Sequence, residues 1–269
     1  MLIPLFVYTI NGDKMKVLIT GASGGIGYKL GVCLAKRNHF VYMTTHTKSQ
    51  ERELIKKIVS LKMNNNIKVF KLDITNKTDL TKIDRLDIDV LFVHAGIGEG
   101  GSILEIPIEK LKYNFEVNIF SNIDLIRKYL KTRIENNKKG KVIVTSSMAS
   151  VIPIPYLGSY TSSKSALSML IKTLNKELRI SGSKIKIYLI EPGAYKTGFN
   201  QVMINKINGY DEVNKQLRMH KLFNLVECRN ISAVVNKMVY LAQHNSIRFI
   251  HRVPLLQRIL IRLYIIFFG

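Results

Sequence analysis

The sequence predicts an α/β protein with a doubly wound parallel sheet and helices on both faces. Short apolar runs alternate with longer stretches of helical periodicity along most of the chain. A glycine-rich turn joins the first apolar run directly to the first helical stretch. The length of 269 residues fits one domain with a full core. Right-handed crossovers between parallel strands then place helices on both faces of the sheet.

Six of the apolar runs are predicted strands. In chain order they are Val17–Thr20, Phe40–Thr44, Lys68–Leu72, Val90–His94, Lys141–Ser146 and Lys184–Ile190. The stretches between and after them have the periodicity of helices. In chain order these helices are Ile26–Arg37, Gln50–Leu61, Ile108–Glu135, Tyr160–Ile180 and Ile231–Gln243.

A single domain is predicted for residues 15–252, because no repeat or low-complexity segment interrupts the alternation. Met15 directly precedes the first strand, so residues 1–14 are expected to be an extension. Their apolar start lacks a basic leader and is not typical of a signal peptide. The long connection after Pro192 predicts a substrate lid near residues 198–226, with short helices of its own.

Charge and cysteine content narrow the classes of function. The formal net charge is +22, which favours anionic partners such as a phosphorylated cofactor or acidic membrane lipid. The basic residues are dispersed and not interleaved with aromatic residues, so nucleic-acid binding is not expected. Cys33 and Cys228 are the two cysteines, far apart in sequence, and they indicate reduced thiols in an intracellular, cytoplasmic protein.

The tail at residues 253–269 combines apolar and basic residues. Arg258 and Arg262 stand four positions apart in an otherwise apolar stretch, as in a basic amphipathic helix. The apolar run is shorter than the roughly 20 residues that cross a bilayer. Two interpretations stay open: peripheral contact with a membrane, and packing of the tail against the domain or a second subunit.

The segment after the first predicted strand has the residues of a phosphate-binding turn. It reads Thr20-Gly21-Ala22-Ser23-Gly24-Gly25-Ile26-Gly27 and leads into a helix. Gly21 permits a tight turn, Gly25 lets the backbone approach a pyrophosphate, and Gly27 allows the helix to pack closely on the sheet. The free N–H groups and the dipole of the helix start favour phosphate. Ser23 and Ile26 belong to the same predicted cofactor-binding turn.

Three further residues have the spacing of an acid–base device. Ser147 lies thirteen positions before Tyr160, and Lys164 lies four positions after Tyr160 on the same helix face. A cation beside the phenol would lower its pKa from the ordinary value of about 10 and make it a usable general acid or base. Ser147 would hold the oxygen of a carbonyl or alcohol. Ser146 and Tyr156 are nearby alternatives, but no lysine lies four positions after Tyr156.

In order and spacing, these motifs resemble the short-chain dehydrogenase/reductase family, in its simple single-domain branch. The resemblance extends from Lys16 to about Gln243. Beyond the glycine turn and the Ser–Tyr–Lys set, it rests on Asp73, His94-Ala95-Gly96, Asn118 and Pro192-Gly193-Ala194-Tyr195-Lys196-Thr197. His94 stands where the family has an asparagine, and we expect it to supply a substitute structural hydrogen bond.

The resemblance implies a Rossmann-type fold and hydride transfer between a nicotinamide and a carbonyl or alcohol carbon. Tyr160 would act as general acid or base, assisted by Lys164, while Ser147 would bind the substrate oxygen. Asn118 would hold a water that links Lys164 to solvent. The implied cofactor contacts outside the glycine turn are Asp73, Ala95, Gly96, Tyr160, Lys164, Pro192, Gly193 and Thr197. A homo-oligomer is also implied.

The choice between NADP and NAD depends on the end of the second predicted strand. An acid there would bind the ribose 2′-hydroxyl and repel a 2′-phosphate. The segment Met43-Thr44-Thr45-His46-Thr47-Lys48 contains no acid and offers hydroxyls, His46 and Lys48. We therefore expect NADP, with NAD less favoured, and we expect His46 among the cofactor contacts.

The predicted lid carries apolar residues such as Phe199, Met203, Leu222 and Phe223. They would line a pocket for a lipophilic carbonyl or alcohol, or else pack the lid onto its own domain. The segment Glu191-Pro192-Gly193 is similar to the 17β-hydroxysteroid, retinol dehydrogenase and carbonyl-reductase branch, which favours the lipophilic substrate. The alternative function is a catalytically silent NADP-binding regulatory protein, which loss of a catalytic residue would favour.

Overall fold

The structure is a computed structural model that describes residues 14–207 and 212–268. Its centre is one sheet of seven parallel strands in the order β3-β2-β1-β4-β5-β6-β7. The strands are β1 (Lys16–Ile19), β2 (Phe40–Thr45), β3 (Ile67–Lys71), β4 (Val90–Val93), β5 (Gly140–Thr145), β6 (Ile185–Pro192) and β7 (Ile250–Val253). The predicted doubly wound parallel sheet is confirmed. Of the predicted extension, all but Lys14 lies outside the described residues.

Helices cover both faces of the sheet. They are α1 (Gly25–Ala35), α2 (Lys48–Ser60), α3 (Lys77–Leu80), α4 (Ile108–Phe115), α5 (Asn122–Glu135), α6 (Gly158–Ile180), α7 (Phe199–Ile204), α8 (Glu212–Val226), α9 (Ser232–Gln243) and α10 (Leu255–Phe268). A π-helix at Glu116–Ser121 joins α4 to α5, so the predicted long helix is helical throughout but widened in its middle. Within the described ranges, every helix is too short or too polar to cross a membrane.

The two faces of the sheet carry separate hydrophobic clusters, because successive side chains of a strand point to opposite faces. Val17 and Ile19 pack with residues of α1, α2 and α9, whereas Leu18 packs with residues of α5 and α6. The strand order changes direction between β1 and β4. The connections therefore diverge there and open a crevice at the carboxyl ends of the strands, where ligands of such sheets bind.

Strand β7 was not predicted from the sequence. It pairs in parallel with the end of β6, which places Arg252 beside Glu191. The Arg252 Nε donates to the Glu191 carboxylate at 2.6 Å, and Glu191 is fully buried. His251 and Arg252 interrupt the apolar pattern of this short strand. A buried ion pair therefore joins this strand to β6, and a search for apolar runs does not detect it.

Two helices, α7 and α8, lie in the segment predicted as a lid, as expected for so long a connection. Met203 and Phe223 from these helices join a third hydrophobic cluster that includes Leu157 and Tyr160. The predicted lid is therefore packed beside the proposed general acid. Residues 208–211, between the two helices, lie outside the described part of the chain.

Candidate active site

A cavity of about 870 Å³ opens at the carboxyl ends of the strands. Its wall contains the segments that follow β1, β3, β4, β5 and β6. Most of the predicted site residues line it: Gly21, Ser23, Gly25, Ile26, His46, Asp73, Ala95, Gly96, Ser147, Tyr160, Lys164, Pro192, Gly193 and Thr197. The two other predicted residues, Gly27 and Asn118, lie behind this wall and support it.

Backbone conformation explains the glycines of the turn before α1. Gly21 has a φ of 67° and Gly25 a φ of 54°, in the left-handed region that favours glycine. A Cβ on Gly21 would lie 2.8 Å from the Cα of Ala95, and one on Gly27 would lie 2.8 Å from the Gly21 carbonyl oxygen. Gly24 faces open space, and the first turn of α1 carries no acidic side chain. The start of α1 is thus suited to a phosphate group.

Ser147, Tyr160 and Lys164 contribute to one part of the cavity wall. Ser147 lies just after β5, and its Oγ accepts the Ala149 N–H at 3.1 Å. Tyr160 and Lys164 lie one turn apart on α6, with the lysine Nζ 5.9 Å from the centre of the phenol ring. The same Nζ donates to the Thr145 carbonyl at 3.2 Å. Tyr160 is 9% exposed and Lys164 4% exposed, so both polar groups are buried.

Burial dominates the acidity of the tyrosine–lysine pair. Burial raises the pKa of Tyr160 to about 12, against the opposing effect of the Ser147 hydroxyl. Burial also lowers the pKa of Lys164 to about 8. The prediction that the lysine lowers the pKa of the tyrosine is therefore wrong for this structure, because an enclosed site disfavours both charged forms. The spacing of the pair is apparent from the sequence, but its burial is not.

The structure also distinguishes the alternative hydroxyls. The Ser146 Oγ donates to the Lys164 carbonyl at 3.1 Å and accepts from the Ser168 Oγ at 2.7 Å, so contacts within the protein occupy it. Tyr156 lies outside the cavity wall, and its ring centre is 5.7 Å from the Lys215 Nζ. The geometry therefore favours Ser147 and Tyr160.

Asn118 connects two parts of the site from behind. It lies in the π-helix and is fully buried. Its Oδ1 accepts the Ile97 N–H at 2.9 Å, while its Nδ2 donates to the Ile97 carbonyl at 2.9 Å and to the Ser163 Oγ at 3.0 Å. A Cβ on Gly96 would lie 3.0 Å from the Asn118 Oδ1 and 3.3 Å from the Lys164 Nζ. Asn118 thus ties the segment after β4 to α6; its role in holding a water stays a prediction.

His94 makes the substitute structural bond expected at its position. Its Nδ1 lies 3.1 Å from the Thr145 Oγ1, and its backbone N–H donates to the Thr20 Oγ1 at 3.0 Å. Burial, and secondly the charge of Lys164, lower the pKa of His94 to about 4. His94 is therefore neutral at pH 7, and it joins the ends of β1, β4 and β5.

Segments after β2 and β3 form the predicted adenine end. The His46 Nε2 lies 3.4 Å from the Asp73 Oδ2, and the His46 side chain is 60% exposed. Asp73 accepts the Thr75 N–H at 3.0 Å and the Thr75 hydroxyl at 2.8 Å. Thr47 and Gln50 cap α2 reciprocally, each side chain accepting the other residue's N–H at 3.2 Å. These caps fix the turn that carries His46 at the cavity wall.

Apolar side chains form the cavity beyond the tyrosine. The Phe199 and Tyr160 ring centres are 5.6 Å apart. Further apolar residues of this region are Ile152, Ile154, Leu157, Val202, Met203, Leu222, Phe223 and Val226. Lys206 adds a charge to the wall, and its Nζ is paired with the Glu99 carboxylate at 3.0 Å. The site therefore has a mainly apolar volume next to its phenol.

The tail helix α10 is a part of the wall that the sequence analysis did not assign. Leu260, Ile261 and Tyr264 line the cavity, and Gln257 on the same helix face contacts the segment after β6. The opposite face is open, with Leu256 at 67% exposure. The interpretation that the tail packs against its own domain is therefore correct for one face of α10. The spacing i, i+3, i+4 and i+7 from Gln257 is a signal that could have identified this face.

Sequence comparisons relate this chain to one family of known proteins. A sequence model of the short chain dehydrogenases matches residues 15–208. The NADPH-dependent 3-dehydrocapnine reductase of Ornithobacterium rhinotracheale is 31% identical over 191 residues, which are 67% of this chain and 65% of that protein, slightly under two thirds of its length. The 3-ketodihydrosphingosine reductase of Bacteroides thetaiotaomicron is 28% identical over 237 residues, covering 83% of this chain and 82% of that protein.

A solved structure from a known protein has a similar fold. A short-chain dehydrogenase/reductase from Burkholderia phymatum, determined in complex with NAD, superposes with a TM-score of 0.80. The superposition covers 93% of this chain and 92% of that chain at 18% identity. A likeness at this identity concerns the architecture alone.

Proposed function

The chain belongs to the short-chain dehydrogenase/reductase family, and we propose that it is an NADP-preferring oxidoreductase that interconverts a carbonyl and an alcohol on a lipophilic substrate. The observation that carries the proposal is that Ser147, Tyr160 and Lys164 line the same cavity as the glycine turn. A hydroxyl donor, a phenol and a cation beside a phosphate-binding turn are the parts that such a reaction needs.

The residues of the cavity fit a nicotinamide dinucleotide. In the proposal, Ser23 and the start of α1 bind the pyrophosphate, Asp73 lies at the adenine end, and Thr197 with the backbone after Pro192 orients the nicotinamide. The left-handed glycines, the open space at Gly24 and the absence of acid in the first turn of α1 support this fit. When bound, the nicotinamide supplies or accepts the hydride.

Tyr160 performs the proton transfer in this proposal. Its hydroxyl gives a proton to the carbonyl oxygen in reduction and recovers it in oxidation. The Ser147 Oγ donates a hydrogen bond to that oxygen, where negative charge develops. Lys164, with a pKa of about 8, is mostly charged at neutral pH and lies 5.9 Å from the ring that becomes a phenolate. Because the pKa of Tyr160 is about 12, the phenol is the resting form, which suits reduction.

Preference for NADP is the finer part of the cofactor proposal. The turn after β2 has no acid to repel a 2′-phosphate. Exposed His46 is the better candidate contact, because the Lys48 Nζ is already paired with Glu51 at 2.6 Å. Dependence on NADPH is part of the name of the 3-dehydrocapnine reductase to which the chain is similar.

A lipophilic substrate is proposed from the apolar part of the cavity. The side chains of Phe199, Met203, Phe223 and Ile261 line the space beyond the phenol. The similar 3-ketodihydrosphingosine reductase is named for a keto substrate, which agrees with a carbonyl as the group reduced.

Two kinds of contact complete the proposal. A homo-oligomer would use the helices that carry Asn118 and Tyr160, on which Phe120 and Met169 are exposed large apolar residues. Peripheral membrane contact would use the outer face of α10, because its exposed apolar residues accompany the exposed Arg262 and lack any acidic neighbour on the helix.

Turnover with a panel of ketones tests the proposed function. Oxidation of NADPH and of NADH is followed with carbonyl compounds of increasing apolar size, from acetone-like molecules to long-chain ketones. We expect NADPH to be oxidised faster than NADH, and we expect the rate of NADPH oxidation to increase with the apolar size of the carbonyl compound. Nucleotide binding without turnover on any carbonyl would support the silent regulatory protein instead.

Vesicle binding tests the membrane contact separately. Co-sedimentation with anionic phosphatidylglycerol vesicles is compared for the wild type, for Ile266→Glu on α10, and for Ile180→Glu at the end of α6, which is also exposed. We expect only Ile266→Glu to lose binding. Equal binding by both variants contradicts a role for α10.

A further inference from the structure

We propose that Gln257 is a positioning residue of the nucleotide site, and that α10 thereby completes the active site. The inference rests on the proposed function, because the backbone that Gln257 holds belongs to the segment assigned there to the nicotinamide. It adds a residue from the tail, in a helix beyond residues 15–208 that match the family.

The Gln257 amide binds backbone groups of two separate segments. Its Oε1 accepts the Ala194 N–H at 2.8 Å, and its Nε2 donates to the Ala194 carbonyl at 3.1 Å. The same Nε2 donates to the carbonyl of Val226, the last residue of α8, at 2.7 Å. One side chain therefore joins the segment after β6 to the end of α8, beside the backbone bridge between Tyr195 and Cys228.

The held segment reaches the phosphate turn in a short series of contacts. Gly193 leaves room for the amide, because a Cβ there would overlap the Gln257 side chain and displace it. Thr197, three residues after Ala194, lies against the turn, since a Cβ on Gly25 would be 3.2 Å from the Thr197 Cβ. A displacement of Ala194 is therefore expected to move the wall that faces the nicotinamide and the pyrophosphate in the proposed nucleotide site.

Gln257 is a buried polar residue in a mainly apolar helix. It is 8% exposed, whereas its neighbour Leu256 is 67% exposed. A buried amide is retained at low cost only when its donors and acceptors have partners. The Ala194 N–H and the Val226 carbonyl lose this partner when Gln257 is removed, whereas the Ala194 carbonyl still accepts the Cys228 N–H at 2.9 Å. A function limited to covering the domain would be served by a leucine or methionine at this position.

Direct nucleotide binding by the full chain tests the inference. Dissociation constants for NADPH are measured by fluorescence for the wild type, Gln257→Met and Leu256→Ala. Methionine keeps the length of the side chain and removes its hydrogen bonds. We expect the Kd to rise about tenfold in Gln257→Met, as for the loss of a net buried hydrogen bond. The kcat at saturating nucleotide should stay within about threefold, and Leu256→Ala should match the wild type.

A second variant gives a readout that simple loss of stability would not produce. Gln257→Glu keeps the acceptor for the Ala194 N–H but, when ionised, has no proton to donate to the two carbonyl groups. Burial and the two facing carbonyl oxygens should raise the pKa of this carboxyl well above its ordinary value of about 4.3. The NADPH affinity of the variant, divided by that of the wild type at the same pH, should therefore recover as the pH falls from 8 to 6.

The outcomes separate this inference from the proposed function. A folded Gln257→Met with a Kd within twofold of the wild type, or a Gln257→Glu ratio that ignores pH, overturns the positioning role alone. A folded wild type that binds neither NADPH nor NADH overturns both proposals. If Gln257→Met does not fold, the pH dependence of Gln257→Glu decides the question.

Discussion

The glycine turn and the tail helix contribute to the same cavity but differ in how the sequence specifies them. The turn places its residues within one contiguous stretch, and Gly21 and Gly25 are required by their own backbone conformation. Gln257 is a single amide in the tail helix, and its partners, Ala194 and Val226, lie 63 and 31 positions away. Sequence motifs therefore record local backbone demands, whereas the distant partners of a positioning residue cannot be identified from its neighbours in the sequence.

The largest expected effect concerns Lys164, which like the glycine turn belongs to a sequence motif. Lys164→Met removes the cation beside Tyr160 and should lower kcat about a thousandfold, within the range for loss of an acid–base group. Lys176→Met, which also replaces a lysine of α6 but at an exposed position, serves as control. Steady-state turnover of NADPH checks the pair, and similar losses in both variants would remove Lys164 from the mechanism.

The same substitution should make the protein more stable at neutral pH. The pKa of Lys164 is about 8 in the folded chain, below its ordinary value of 10.5. The unfolded chain therefore binds more protons between these values, and stability rises as the pH rises from about 8 to 10.5. Below pH 8 the buried ammonium costs on the order of 3 kcal/mol. At pH 7, the free energy of unfolding measured with urea should be higher for Lys164→Met than for the wild type. Its rise between pH 8 and 10.5 should be smaller in the variant.

The next prediction distinguishes nucleotide binding by the glycine turn from the general effect of backbone strain at a positive φ. Gly25→Ala and Gly182→Ala both place a Cβ at a positive φ, of 54° and 66°. Only the former meets Thr197, because Gly182 faces open space. Both variants should lose about 1 kcal/mol of stability, but only Gly25→Ala should weaken NADPH binding, by at least about tenfold. Equal nucleotide affinities would mean that the turn does not bind phosphate.

The third prediction concerns the choice of nucleotide. His46→Asp places an acid at the end of β2, which should favour the ribose 2′-hydroxyl and repel a 2′-phosphate. The ratio of kcat/KM for NADPH to that for NADH should fall about tenfold or more. An unchanged ratio would assign the preference to another residue.

The smallest expected effect on activity comes from the departure at His94. His94→Asn retains a hydrogen-bonding side chain, so turnover at pH 7 should change less than about threefold. The pKa of His94 is about 4 in the folded chain and 6.5 ordinarily. The contribution of His94 to the free energy of unfolding of the wild type therefore falls as the pH falls from about 6.5 to 4. The asparagine variant should lose less stability over that window in thermal unfolding, and a parallel loss in both proteins contradicts this account.

The sequence predicted the sheet and the motif residues because each has a strong local cause. Buried parallel strands are apolar, and the left-handed positions at Gly21 and Gly25 demand glycine. The acidity of Tyr160 was predicted in the wrong direction, because spacing does not reveal burial. Strand β7 and Gln257 were missed because polar residues there are stabilised by distant partners, Glu191 in one case and Ala194 in the other.

In the proposed mechanism, Tyr160 is the proton donor of a nicotinamide-dependent reduction. The most direct measurement compares Tyr160→Phe with the wild type for NADPH-dependent reduction of the best ketone in the panel, alongside the NADPH Kd of each protein. We predict a Kd within about twofold and a turnover about a thousandfold lower, because phenylalanine keeps the ring and removes only the proton donor. A turnover of the variant within tenfold of the wild type would contradict the claim.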